Sequence, residues 1–350
     1  MIRRLVAAAL AAAVVVAVVP ALPAAAAAPR IGADVSKYQC GAPWAGAQAF
    51  AVVAVNDGLP TGTNPCLAEQ LALAVASPGG GRPSVYVNTA NPAPHEASWW
   101  PTRDRTKRGV AVRSPYGRCR GGATAACSWV YGASLALDDL QIRGVPRNTA
   151  ARWWLDVETA NTWRGSRKQH RAVLEGMTWS LVRAGQRVGL YALDHEFRDL
   201  IGPVPTSSAL TRLPTWLAGA ADAAAAAARR CSAAPLTRGR VLLTQWTTTA
   251  GTDRFDLDLA CSVLSPAPRP TATGRHLVGA RLTAKAGTWA AGTRLHYRWT
   301  RDGRPIAGAT SPTHRVVRAD AGHRVAVVVT GTRDGSSRAV RTSRSVAIRR

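Results

Sequence analysis

Short apolar runs alternate with stretches of helical periodicity over residues 30–262. Eight runs read as strands: "RIGADVS" (30–36), "AFAVVAV" (49–55), "PSVYVN" (83–88), "RWWLDVE" (152–158), "RVGLYA" (187–192), "LPTWLAG" (213–219), "RVLLTQW" (240–246) and "RFDLDLA" (254–260). Their length and their content of β-branched and aromatic residues fit strands better than helices. Between them, "TNPCLAEQLALAVAS" offers Asn64 as a cap, Pro65 at the first helical position and a stripe of Leu67, Leu71, Ala74 and Val75. "GSRKQHRAVLEGMTWSLVRAG" opens with a Ser166…Gln169 capping box and closes at Gly185. "WVYGASLALDDLQIRG" is a third helix. This alternation predicts the α/β class and a (β/α)8 TIM-type barrel. The segments before the sixth and eighth strands are too short for full helices, so the barrel is expected to be irregular.

Beyond "SPAPRPTATG" (265–274), which reads as a linker, the period changes to two. "LHYRWTRDGRPI", "THRVVRA", "HRVAVVVTGTRDG" and "RSVAIRR" are strand-like, with Asp302-Gly303 and Asp334-Gly335 as hairpin-type turns. A small β-sandwich follows, with Trp289 and Trp299 read as its core and sugar-stacking platforms as the alternative. The expected plan is a signal peptide over 1–28, the barrel over 29–264, the linker over 265–274 and the sandwich over 275–350.

"WWLDVETAN" places two carboxylates inside an apolar run. Each loses several kcal/mol of hydration when buried unless it is paired. On a strand, Asp156 and Glu158 share one face while Leu155 and Val157 share the other. In a barrel the apolar face packs under the helices. The carboxylates then point inward at the strand's carboxyl end, where active sites of this architecture lie. Asp34 ends the first run, and Asp256 sits in the eighth with Asp258 two residues on. Barrel closure makes those two runs neighbours, so Asp34 and Asp256 should meet. Clustered acids without cations raise each other's pKa and keep a proton near neutral pH, as a general acid for a glycosidic bond must. A structural role would instead need hydrogen bonds from Thr159, Asn161 or backbone amides. Three strands each delivering an acid favour catalysis.

These residues carry a resemblance. "GADVSKYQ", "LDVE", "VGLYA", "PTWLAG", "LLTQW" and "FDLDLA" follow the order of glycoside hydrolase family 25, lysozymes that cleave peptidoglycan on a flattened, irregular β/α barrel. The resemblance covers roughly residues 30–262. It implies Glu158 as proton donor, Asp156 as its partner, Asp34 and Asp256 as supporting acids, and Tyr191 and Trp216 as an aromatic wall. Tyr86, Asn88, Gln245 and Trp246 complete the expected substrate-binding set. Three places depart from the family: "VAVNDG" ends the second strand without the usual Thr or Lys, "YVNTANP" replaces a Tyr-His-Phe type ending, and Ala220 stands where a tyrosine is common. The expected activity is that of a lysozyme-type glycoside hydrolase. The alternative is a catalytically silent protein that binds wall carbohydrate on the same barrel. Beyond the linker, "AGTWAAGTRLHYRWTRDGRPIAGAT" and "DAGHRVAVVVTG" resemble bacterial immunoglobulin-like repeats, which implies an immunoglobulin-like sandwich that tethers or spaces the enzyme.

Composition sharpens the setting. Arg3 and Arg4 precede an apolar run from Leu5 to Val19, and small residues follow to Ala28, as in a secretory signal; an uncleaved anchor is the other reading. No later segment is suited to span a membrane. Cys40, Cys66, Cys119, Cys127, Cys231 and Cys261 have no zinc-type spacing; they fit an exported chain, with the local pairings Cys40–Cys66, Cys119–Cys127 and Cys231–Cys261 expected among 15 possible sets. Net charge is +25, with 26 Lys/Arg against 17 Asp/Glu in residues 29–265 and 17 against 3 in 266–350. Such a field suits anionic wall polymers beside peptidoglycan or another wall polysaccharide as the main partner. The rival source is coding bias, since only four of the 45 cations are lysines. Histidines are scattered, and HExxH, GxSxG, P-loop and GxGxxG motifs are absent, so no metal and no cofactor is called for. No nucleic-acid module is recognisable either. Mass spectrometry of the exported protein should find a mature terminus between Ala26 and Arg30. A full-length chain in the membrane fraction would establish the anchor instead.

Overall fold

The computed structural model describes residues 31–41, 49–76, 82–146, 150–221, 223–250, 253–333 and 336–349. The signal peptide expected over 1–28 and the hairpin turn expected at Asp334-Gly335 lie outside the described residues. Eight strands close a barrel in chain order: β1 (Ile31–Val35), β2 (Ala51–Ala54), β3 (Ser84–Asn88), β4 (Trp153–Asp156), β5 (Val188–Ala192), β6 (Thr215–Leu217), β7 (Val241–Ala250) and β8 (Asp253–Ala260). From β1 to β7 every neighbouring pair is parallel. β8 runs antiparallel to both β7 and β1. The expectation of eight β/α units is corrected at this last strand. β7 and β8 pair out to Ala250 and Asp253, and so short a link can only reverse the chain.

Five helices cover the outside: α1 (Leu67–Ala76), α2 (Ala125–Gln141), α3 (Arg167–Arg183), α4 (Asp194–Leu200) and α5 (Ala224–Arg230). α3 begins where its sequence says it should, because the Ser166 side chain caps the backbone of Gln169 and Gln169 reaches back. It stops before Gly185, whose φ of 76° suits glycine. Strand alternation divides the apolar residues between two cores. Val53, Val85, Val87, Trp153, Leu155, Val157 and Leu190 face outward against Leu71 of α1, Leu135 of α2 and Leu174 and Met177 of α3. Val52, Trp154, Trp216 and Leu243 fill the barrel, with Phe50, Tyr86 and Tyr191 packed on them. Gly189 makes room for the Trp154 ring, which a Cβ there would meet at 2.3 Å.

Three disulfides join cysteines in the order they occur. Cys40–Cys66 ties the turn after β1 to the start of α1, Cys119–Cys127 pins the long β3–α2 connection onto α2, and Cys231–Cys261 ties the end of α5 to the end of β8. No helix among the described residues is long and apolar enough to cross a membrane.

The remaining strands form two further sheets. One has three strands, β10 (Thr271–Thr273), β11 (Arg281–Lys285) and β14 (Thr313–Arg315). The other contains β9 (Ser262–Val263), β12 (Arg294–Arg301), β13 (Arg304–Pro305), β15 (Arg324–Arg333), β16 (Ser336–Thr342) and β17 (Val346–Ala347). Leu282, Val316, Val325, Val327 and Val329 pack around the fully buried Trp299, with Trp289 at the edge of this core. The stretch expected as a linker is partly structured: Ala272 pairs with Ala284, so β10 belongs to the three-stranded sheet. β9 follows Cys261 directly and pairs in parallel with the start of β16, which joins the carboxyl-terminal sheet to the end of the barrel.

α2 and α3 approach through glycines. A Cβ at Gly132 would lie 2.0 Å from the Val173 carbonyl oxygen, and one at Gly176 would lie 2.0 Å from that of Trp129. Gly176→Ala must therefore push the helices apart. Chemical denaturation is expected to show a loss of about 1–3 kcal/mol, the usual range for overpacking. An unchanged midpoint would mean that the helices slide freely.

Candidate active site

Pairing brings the predicted acids together at the carboxyl end of the parallel strands. Asp34 of β1 lies directly opposite Asp256 of β8. Asn88 of β3, Asp156 of β4 and Tyr191 of β5 stand in one row across the sheet, and Trp216 of β6 continues it. Glu158 follows two residues after β4, on a turn held by the Trp163 indole N–H, which donates to the Glu158 carbonyl at 2.9 Å. These side chains line a cleft of about 800 Å³ that also takes in Tyr86 and Gln245. Lys37 is the one Lys or Arg among the described residues lining it.

Of the expected substrate-binding set, Tyr86, Asn88, Tyr191, Trp216 and Gln245 reach the cleft. Trp246 does not. Gln245 faces inward, so its neighbour faces outward and packs with Ala226, Ala227 and Cys231 beneath α5. Trp216 is nearly fully buried, 4.4 Å from the Tyr191 ring and 5.8 Å from Trp154. It is a floor beneath Tyr191, and Tyr191 offers the accessible face.

The carboxylates differ in their partners. Gln245 Nε2 donates to Asp34 Oδ2 at 2.8 Å, while the Tyr191 hydroxyl donates to Gln245 Oε1 at 2.9 Å. Asn88 Nδ2 donates to Asp156 Oδ2 at 3.0 Å, and Asp156 Oδ1 has no hydrogen-bond partner among the described residues. Thr247 donates to Asp256 Oδ1 at 2.7 Å. Asp258 is fully buried, with the Asp34 carboxyl group and the Trp216 indole as its polar neighbours. Neither side-chain donor named for a structural role of the Asp156–Glu158 pair is engaged with it: Asn161 Nδ2 has no hydrogen-bond partner among the described residues. Thr159 gives both its N–H and its hydroxyl to Glu196 of α4, each at 2.9 Å.

Burial pushes Asp34 well above the usual carboxylate range, and the charge of Asp256 adds to it against the Gln245 hydrogen bond. Asp156 is raised by burial and then by Glu158 and Asp34. Glu158 is raised by burial and by Glu196. Asp258 is raised by burial and by Asp34.

Sequence reasoning missed a buried chain behind Asp156. Arg143, just past the end of α2, donates Nε–H to Asp139 Oδ1 at 2.8 Å, and Asn56 Nδ2 donates to the same oxygen at 3.1 Å. Asn56 Oδ1 in turn accepts the Asn88 backbone N–H at 2.8 Å. Arg143 also donates to Thr63 Oγ1 and the Pro60 carbonyl, which fixes the loop after β2. Burial pushes Asp139 up to about 6 although Arg143 pulls it down. The signal lay in "VAVNDG": a polar residue at the end of a fully apolar strand needs buried partners.

Carboxylates raised by folding bind protons more tightly folded than unfolded. Their contribution to stability is full below about pH 4, the unfolded value, and is lost as pH rises through the folded ones. The thermal midpoint should climb as pH is lowered from 8 toward 5. Asp258→Asn keeps the shape and removes the need for a proton, so it should raise the midpoint at pH 8 and flatten the profile. A lower midpoint at pH 8 with an unchanged slope would show that Asp258 is held ionised.

No family model matches this chain, and no curated protein matches it. Among solved structures, the chain is similar to the bacterial lysozyme from Streptomyces coelicolor at a TM-score of 0.43 and 14% identity, covering 66% of this chain and 91% of that one. It is similar to the muramidase from Trichobolus zukalii at 0.42 and 16%, covering 67% and 95%. A family GH25 lysozyme from Aspergillus fumigatus is similar at 0.40 and 10%, covering 65% and 92%.

Proposed function

We propose that the barrel is a secreted glycoside hydrolase of lysozyme type that cleaves peptidoglycan or a related amino-sugar polymer by carboxylate acid catalysis. One observation carries this reading: Asp34, Asp156, Glu158 and Asp256 line a single cleft beside tyrosine and asparagine side chains, with Lys37 as the one Lys or Arg among the described lining residues. Glu158, half-buried with its pKa raised, retains a proton and gives it to the glycosidic oxygen as the C–O bond breaks. Asp156, held by Asn88 through one oxygen, has the other free to bind the substrate's acetamido N–H and to offset positive charge at the anomeric carbon. Water then adds to that carbon and its proton returns to Glu158. Asp34 and Asp256 keep the cleft anionic, and Tyr86 and Tyr191 contact the sugar faces.

The three disulfides support an extracellular site of action, and the apolar run at the amino terminus supports a cleaved signal over 1–28. The barrel is assigned to 29–264 as an irregular TIM-type barrel whose last helix is lost. The expected linker over 265–274, whose residues Thr271–Thr273 form β10, leads to an immunoglobulin-like sandwich over 275–350, and this tethers the enzyme to the wall. The silent wall-binding reading is favoured by one observation: Gln245 already occupies an oxygen of Asp34 and is itself held by Tyr191.

Glu158→Gln is expected to lower turnover of purified peptidoglycan by about 10²-fold or more while binding to insoluble wall survives. Mass analysis of the released ends identifies the bond. Full turnover by the variant would remove Glu158 from the mechanism. A wild-type protein that binds wall and releases nothing would establish the silent reading.

A further inference from the structure

A second concavity lies away from the acidic cleft. It is a groove of about 320 Å³ between the connection that leads into β7 (residues 235–240) and the strand β16. Arg238 and Arg240 flank Gly239 on the barrel side, and Arg338 and Arg341 stand on the sheet side. Leu264 and Ala339 form an apolar floor between them. The two walls are fixed to each other. The Ser337 hydroxyl of β16 donates to the Val241 carbonyl at the start of β7.

No carboxylate is among the described residues that line the groove. Neither described acid beyond residue 265 is spare. Asp320 takes Arg301, His314 and the Val317 N–H, and Asp302 takes His323 and the Arg324 N–H. Four arginines therefore line one groove with no carboxylate among its described lining residues; Arg341 is turned to the Ala267 and Val340 carbonyls, which leaves Arg238, Arg240 and Arg338 for a ligand. Planar forked donors of this kind match phosphate oxygens in pairs. Aromatic side chains are also lacking among the described lining residues, so bases would find no stacking platform.

We propose that this groove binds a linear polyol-phosphate chain, with successive phosphodiesters held by arginines from both walls. The site is composite: neither the barrel nor the carboxyl-terminal sheets alone contain it. It is independent of any hydrolysis in the acidic cleft, so failure of either reading leaves the other standing.

The test uses the full-length protein and fluorescent poly(glycerol phosphate), read by anisotropy. Arg238→Gln and Arg338→Gln, one on each wall, should each weaken binding about tenfold through the loss of a charge-assisted hydrogen bond. Arg298→Gln and Arg315→Gln remove the same charge from exposed positions outside the groove and should change affinity less than twofold. Three phosphate contacts give a log–log salt slope of about −2, at about 0.7 per phosphate. Equal losses in all four variants would overturn the groove in favour of the diffuse field of a +25 protein. Absence of binding at low salt would overturn it outright. Tighter binding of oligothymidylate of equal phosphate number would replace the polyol chain by single-stranded nucleic acid. Displacement by inorganic phosphate at equal phosphate concentration would reduce the site to one for the free ion.

Discussion

Burial of carboxylates without cations is the constraint to which the rest of the barrel answers. Asp34, Asp156 and Asp258 are buried and Asp256 is half-buried beside them, and no arginine is among the described residues lining the cleft that Asp34, Asp156 and Asp256 share. Each must be satisfied by a neutral donor or by a proton of its own. Gln245, Asn88 and Thr247 supply the neutral donors. The tryptophan and tyrosine rings beneath the cleft exclude the water that would otherwise stabilise the ionised forms. Acidity in the cleft is thus set by packing, and aromatic side chains tune it as much as charges do.

The antiparallel last strand makes this arrangement possible. A parallel β8 would present its carboxyl end, Leu259 and Ala260, at the rim that carries Asp156. Reversal places Asp256 there instead, opposite Asp34, and sends Asp258 down into the barrel. The molecule then holds two opposite electrostatic regimes. A chain with a net charge of +25 gathers five acids along one cleft, where Lys37 is the one Lys or Arg among the described lining residues. At an ionic strength of 0.1 M the outer field fades over about 10 Å, so the cleft titrates according to its own neighbours.

Much of this was legible in the sequence, and the gaps have physical causes. Short apolar runs rich in β-branched and aromatic residues identified the eight barrel strands, and period-two alternation identified the inward face of "LDVE". Strand direction has no such signature: "FDLDL" reads the same in either sense, and only the short link from β7 decides it. Trp246 was misplaced because a large aromatic beside Gln245 fits either face of a strand buried on both sides. The Asp139–Arg143 pair looks like an ordinary surface ion pair one helical turn apart, yet both side chains are almost fully enclosed. Its link to Asn56 spans 83 residues, beyond the reach of any local pattern. The Thr271–Thr273 strand was hidden because prolines around it outweighed a three-residue alternation.

The Cys231–Cys261 disulfide sits where the barrel hands over to the sheets beyond it. Suppose those sheets are held on a surface and the barrel is pulled by a polymer in its cleft. Tension along the backbone arrives at Cys261 before it reaches β8. There a covalent branch diverts part of it into α5, on the barrel's outer wall. The hydrogen bonds between β1 and β8, which keep Asp34 facing Asp256, share the load and do not bear it alone. The bond therefore works as a strain relief, protecting the shape of the cleft from forces applied at the far end of the molecule.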